Sequence, residues 1–376
     1  MKRLLLIIVL LLIAYGTKPV WEEKVQATGL ETVLSKIEGM KDNEKVKDAF
    51  DQFYNGVSLL LMELEMSLKD LDPPKNAQEE LNSQKPDLSA PDSEVFSIHN
   101  IELGDRRSTV EQELGSPDRT TLNEYGVNWN TYHDHYHNFF MVSYDDEQRV
   151  NGLYTNQDLL TSSTGITMDS AKSDVQKTLG VPLENIRKGL TLYQLQTNGE
   201  HDVFKVDNSY VTVFYDKHEQ DSVTAIQIIE EGLEGNKQGF YSKTGPGLKE
   251  GFELQLFDLT NAARVNHGLD PLTWNDKVRE TARKHSLDMA DHDYFSHTNL
   301  NGESPFDRME DDQVAFRTAG ENLAYGQMSS IFAHEGLMNS KGHRENILQN
   351  HYEYLGVGVA FNEESQPYFT ENFFSK

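Results

Sequence analysis

The sequence predicts a mixed α/β (α+β) protein divided into more than one domain. Three observations carry this reading. A short helical motif followed by a β-hairpin occurs twice in tandem, and the C-terminal third carries helices of amphipathic period. The chain also has 376 residues at 37% hydrophobic content, more than one ordinary core can use.

The N-terminus, Met1-Lys2-Arg3, precedes an unbroken apolar run from Leu4 to Tyr15, a basic n-region followed by a signal-type h-region. The run is shorter than the roughly 18 to 20 residues of a confident membrane span. No small-x-small cleavage site follows it in Ala14 to Pro19. Residues 1–21 are therefore expected to be a signal peptide or an uncleaved signal anchor, with 4–15 as a possible membrane tether. Either form places the protein outside the cell or on its surface. There is no cysteine, so disulfides contribute nothing and stability must come from packed cores. The formal net charge of −27 opposes binding to nucleic acid and leaves basic surfaces or cations as better partners, unless it serves solubility alone.

Between residues 22 and 71, Val46, Phe50, Phe53, Val57, Leu61, Leu64 and Leu68 recur at helical spacing, so a helix or helical hairpin with one buried stripe is expected. Its apolar stripe could dock a partner protein. Asp72-Pro73-Pro74 ends it, and the polar, acidic stretch 72–94 reads as a linker.

The repeat spans 95–232, with units at about 98–160 and 163–232. Val110-Glu-Gln-Glu-Leu114-Gly115-Ser-Pro117 and Val175-Gln-Lys-Thr-Leu179-Gly180-Val-Pro182 both read V-x-x-x-L-G-x-P. The Val and Leu share a helix face, the Gly suits the residue after the last turn, and the Pro forbids continuation. Strand signals follow at Phe139 to Tyr144 and Val150 to Tyr154, then at Tyr210 to Tyr215 and Val223 to Ile229. This helix-plus-hairpin unit resembles the domain found just N-terminal to bacterial CAP domains. Glycines and a proline between 233 and 247 break any regular period and mark a second linker.

From residue 248 onward, Phe252, Leu256, Leu259 and Ala263 mark one helix face, and Val278, Ala282 and Met289 mark a second helix that begins after Asp276. His285 falls one turn beyond Ala282. The ordered segments Asn261 to Arg264, Leu272-Thr-Trp274, Ala282 to Ala290, Tyr294-Phe-Ser-His297, Gly320-Glu-Asn322, Asn339-Ser-Lys-Gly-His343-Arg, Gly356-Val-Gly358 and Tyr368 to Phe373 resemble the CAP superfamily, the SCP-like proteins, over 248–376. The resemblance implies a three-layer α-β-α sandwich whose cleft holds two histidines and two acidic residues. Carried over position by position, three of these are His297, Glu321 and His343. Glu335 is taken as the second acid because it lies eight residues before His343, which a continuous helix would align with it, and Glu345 is its substitute because Gly342 is expected to break that helix. Leu337 stands where bacterial members usually carry tryptophan, so a smaller core contact is expected there.

Two imidazoles with carboxylates suit a divalent metal, zinc better than calcium, which wants more oxygen ligands. The same four groups could equally form a buried hydrogen-bond network that shapes the cleft. Elsewhere, His133, His135 and His137 would alternate on one strand face, but i, i+2 spacing of about 6 to 7 Å is wide for one tetrahedral site, so a solvated strand edge is favoured. The aromatics Trp129, Tyr132, Tyr136, Phe139 and Phe140 are expected to fill the core.

His334-Glu335 begins like a zinc-protease signature, but Met338 stands where the second ligand is needed. Gly302-Glu-Ser304-Pro-Phe306 lacks the last glycine of a nucleophile elbow, which makes Ser304 a cap. The chain therefore reads as an exported binding or effector protein with a protein, lipid or cell-envelope ligand. The alternative is a metal-dependent extracellular hydrolase using Glu321 as base and a metal at His297 and His343.

Overall fold

The computed structural model describes residues 84–237 and 239–376. The signal-type run, the helical stripe of 22–71 and the linker as far as residue 83 lie outside the described residues. Residues 84–94 form neither helix nor strand, yet they are tied down: Glu102 accepts the backbone N–H groups of Asp92, Ser93 and Glu94, at 2.6, 2.9 and 2.7 Å.

The two V-x-x-x-L-G-x-P motifs form helices α1 (Arg107–Leu114) and α2 (Lys172–Leu179). Each buries its valine and stops at its glycine, Gly115 at φ 81° and Gly180 at φ 91°, a left-handed region that a side chain disfavours. The strands after them are β2 (Arg119–Leu122), β3 (Asn128–Asp134), β4 (His137–Tyr144) and β5 (Val150–Thr155), then β9 (His201–Val206), β10 (Ser209–Asp216) and β11 (Ser222–Glu230). They merge into one seven-stranded sheet of order β2-β3-β4-β5-β11-β10-β9, joined where β5 pairs antiparallel with β11. The repeats thus share one sheet about a central strand pair. Two strands leave this pattern: β7 (Asn185–Lys188) and β8 (Thr191–Gln194) pair only with each other. The first strand, β1 (Phe96–Ile98), pairs with β6 (Leu160–Ser162).

One sheet face packs on α1 and α2 through Val110, Phe140, Val142, Val175, Val213 and Tyr215. Trp129, Tyr132, Phe139 and Phe140 are buried, as expected of core fillers. The three histidines do not share a strand: the chain turns at His135 and Tyr136, both at positive φ, which separates His133 on β3 from His137 on β4. Tyr136 does more than fill the core, since its hydroxyl donates to Asp258 at 3.2 Å in the C-terminal domain.

The stretch around 233–247 is not a loose tether. It begins in helix α3 (Glu231–Asn236), buries Lys237, and anchors Tyr241 by a 2.9 Å bond from its hydroxyl to the carbonyl of Gly326.

The C-terminal domain is a three-layer sandwich. Its sheet has the order β12 (Thr273–Trp274), β14 (Tyr354–Phe361), β15 (Pro367–Ser375) and β13 (Thr318–Tyr325). Alternation along β14 explains the layers. Leu355, Val357 and Val359 face the helices α4 (Pro246–Asn266), α7 (Ser330–Asn339) and α8 (Lys341–Ile347). Gly356 and Gly358 face α5 (Asp276–His292), so closely that a Cβ on either would overlap the α5 backbone. Helix α6 (Pro305–Asp311) lies beside α5 and begins with a capping box in which Ser304 accepts from the N–H of Asp307, the capping role expected of that serine. Leu337 is buried on α7 in a cluster with Leu256, Val357 and Ile347.

Candidate functional site

The site grows from the edge strand β13, whose Glu321 sits opposite Asn372 on β15 and is buried. A buried carboxylate must be paired, and Glu321 is paired twice. His297 Nδ1 lies 2.9 Å from Oε1, and Arg308 on α6 donates from Nη2 to Oε2 at 2.7 Å. Burial alone would raise the Glu321 carboxyl; the Arg308 guanidinium and the His297 bond outweigh it and hold it below its ordinary value. Arg308 also donates to the carbonyls of His297 and Glu303, at 2.8 and 3.0 Å, and so fixes the loop that carries the histidine.

His343 lies in the first turn of α8 and places Nδ1 2.9 Å from Ser340 Oγ. Burial, with His297 nearby, pushes it down to about 4, so it is a neutral imidazole at physiological pH. Asn346 joins the histidine helix to the glutamate strand by donating to the Glu321 carbonyl at 3.2 Å and to Asn322 Oδ1 at 3.0 Å. His285 completes the surroundings: it is buried, its Nε2 lies 2.9 Å from the Ser296 carbonyl, and its charged form feels Glu321, Arg308 and His297.

The structure puts His297 and Glu321 in direct contact and His343 close enough to feel His297, whereas the other two candidates bond elsewhere. Glu335 projects from α7 toward the N-terminal sheet, where the Tyr154 hydroxyl donates to its Oε1 at 2.6 Å. Burial raises its carboxyl to about 7, and nearby Asp216 adds to the shift. The spacing of eight residues that would align Glu335 with His343 fails because α7 ends at Asn339 and Ser340 caps a new helix. Glu345 is exposed and lies 3.9 Å from Lys341, one turn earlier. Among the described residues no three histidine, aspartate or glutamate side chains gather where a metal could be held. His334 is buried, pushed by desolvation down to about 3, and not part of a ligand set.

Sequence reasoning missed Arg308, Tyr154 and Ser340. Arg308 had no motif to announce it. Tyr154 belongs to the other domain, a partnership that no local pattern encodes.

The site lies within residues 257–373, which match the model of the cysteine-rich secretory protein family, and residues 103–240 match the CAP-associated N-terminal family. The chain carries a CAP domain behind a CAP-associated domain. The uncharacterized membrane protein YlbC of Bacillus subtilis is 28% identical over 321 residues, which cover 81% of this chain and 89% of that protein. The uncharacterized protein YkwD of the same organism is 38% identical over 133 residues, 35% of this chain and 51% of its own length. An extracellular SCP-domain protein from Bacillus anthracis superposes with a TM-score of 0.65 at 25% identity, over 78% of this chain and 99% of that one. A cysteine-rich secretory protein from Staphylococcus aureus, at 16% identity and a TM-score of 0.59 over 77% of this chain and all of that one, shows the same fold. The two-domain CAP architecture therefore recurs as a unit among bacterial proteins.

Proposed function

We propose that this CAP protein works at the cell surface as a binding protein, and that its histidine–glutamate cluster holds the cleft in shape rather than turning over a substrate. One observation carries the reading: both oxygens of Glu321 are engaged, by His297 and by Arg308. A general base needs a lone pair facing substrate and a carboxyl poised near the working pH. Glu321 is held below its ordinary value beside a guanidinium, which suits a structural anion better than a base. These contacts favour the structural role over the hydrolase alternative.

Zinc, the metal favoured by the residue types, fits poorly. Glu321 is committed to Arg308 and Glu335 to Tyr154, so a cation at His297 and His343 would have two imidazoles and depend on water for the rest. Export is supported by the basic-then-apolar N-terminus, by a relative described as a membrane protein and by a neighbour described as extracellular.

Thermal unfolding of the full chain with and without zinc, beside a His297→Ala/His343→Ala double variant, tests the reading. The expected result is that zinc shifts both proteins equally and that the double variant melts lower. A zinc-dependent rise in Tm confined to the wild type would restore the metal site.

A further inference from the structure

The two repeats are not used alike. After α1, Gly115 and Pro117 the chain enters β2, which takes the sheet edge beside β3 and is covered by α4. After α2, Gly180 and Pro182 the corresponding segment leaves the sheet and folds on itself as the β7–β8 hairpin. This detachment opens a cavity of about 530 Å³ bounded by the hairpin, the β9–β11 face and the CAP segment Tyr325–Phe332. Its volume lies in the usual range of small-ligand sites.

The lining specifies the ligand. Tyr193, Tyr210, Tyr241 and Tyr325 are half-buried, so each brings a flat ring and a hydroxyl to the cavity. The charges are already matched: Lys188 pairs with Glu234 at 2.5 Å and Glu200 with Lys217 at 2.8 Å, while Lys237 lies beside Glu234 and Glu124. An ionic ligand finds no uncommitted counter-charge among these groups. Two amide atoms of the lining are buried and unsatisfied: Nε2 of Gln227, a residue 1% exposed, and Oε1 of the half-buried Gln327. A buried amide atom without a partner costs about 1 to 3 kcal/mol, and such a cost is accepted where a ligand supplies the bond. The pair asks for one acceptor and one donor, which an acetamido group provides together.

We propose that this interdomain cavity binds an uncharged N-acetylated saccharide, with the sugar's C–H faces on the tyrosine rings and its acetamido group on Gln227 and Gln327. The site is separate from the His297–His343 cleft, and the inference holds whether or not that cleft takes a metal.

Calorimetric titration of the full chain with tetra-N-acetylchitotetraose tests it, with cellotetraose and an end-blocked alanine tetrapeptide as comparators. The acetylated oligomer is expected to bind at one saturable site, and cellotetraose at least about tenfold more weakly. Tyr193→Ala and Gln227→Leu should each weaken binding by about tenfold, while His343→Ala leaves it unchanged. Tyr193 stands on the detached hairpin, so its truncation spares the core, and circular dichroism checks the fold of both variants. No saturable binding, binding indifferent to both substitutions, or a tetrapeptide bound as tightly as the sugar would overturn the proposal.

Discussion

Arg308 is the residue on which the cleft depends. It is 8% exposed, and its partner Glu321 is 1% exposed, so removing the guanidinium strands a charge inside the protein. Breaking a buried pair from one side typically costs about 3 to 5 kcal/mol. Arg308→Ala should therefore destabilise the protein by about 3 kcal/mol in denaturant titration, more than His297→Ala, whose loss still leaves Glu321 its arginine. Glu335 gives a pH signature of opposite kind. Its folded carboxyl is raised to about 7, so it binds a proton in the folded chain at pH values where the unfolded chain has released it. Its contribution is complete below the unfolded value and is lost as pH climbs through about 7. Glu335→Gln, which stays neutral, should gain stability relative to the wild type between pH 5 and 8; a constant difference would contradict the shift. The contact of His297 with Glu321 was legible because each sits in a short local motif. The sequence could not place Glu335, because the break at Ser340 and the reach of Tyr154 are properties of packed helices and sheets rather than of spacing.

At the scale of elements, α4 and α7 carry the contact between the two domains. Gly251 on α4 meets β2 so closely that a Cβ would overlap the carbonyl oxygen of Leu122, which is backbone and cannot turn aside. Gly251→Ala should cost about 1 to 3 kcal/mol by overpacking, although alanine is the better helix former. At the end of α7, Asn339 donates to the Tyr215 carbonyl at 2.8 Å and accepts from the Lys217 N–H at 2.9 Å. Arg344 on α8 pairs with Asp216 at 2.8 Å. Asp216→Ala leaves that arginine without its carboxylate, and faster hydrogen exchange in the turn after β10 is the expected readout. The helices and hairpins of the repeats were readable because period and punctuation are local. The detachment of β7–β8 was not, since Asn185 to Gln194 carries no signal that separates it from an edge strand such as β2.

For the whole molecule, these contacts make one compact body of the described residues from two sequence families. Leu259, Ala262 and Ile331 of the CAP domain share a buried cluster with Trp129, Phe139 and Tyr154 of the associated domain. Asp258, with its side chain 1% exposed, lies in the same contact, where Arg119 donates to it at 2.8 Å and Tyr136 at 3.2 Å. Burial raises the Asp258 carboxyl to about 6 even against that arginine, so the group relies on partners from the other domain. Excising 248–376 would expose the apolar cluster and remove both partners of Asp258 together. Scanning calorimetry of the full chain should show the two domains melting in a single transition, and the excised CAP domain should melt well below it or associate through the uncovered face. Two separate transitions, or an excised domain that keeps the parent Tm, would mean that the interface contributes little and that the associated domain is an appendage rather than part of the CAP core.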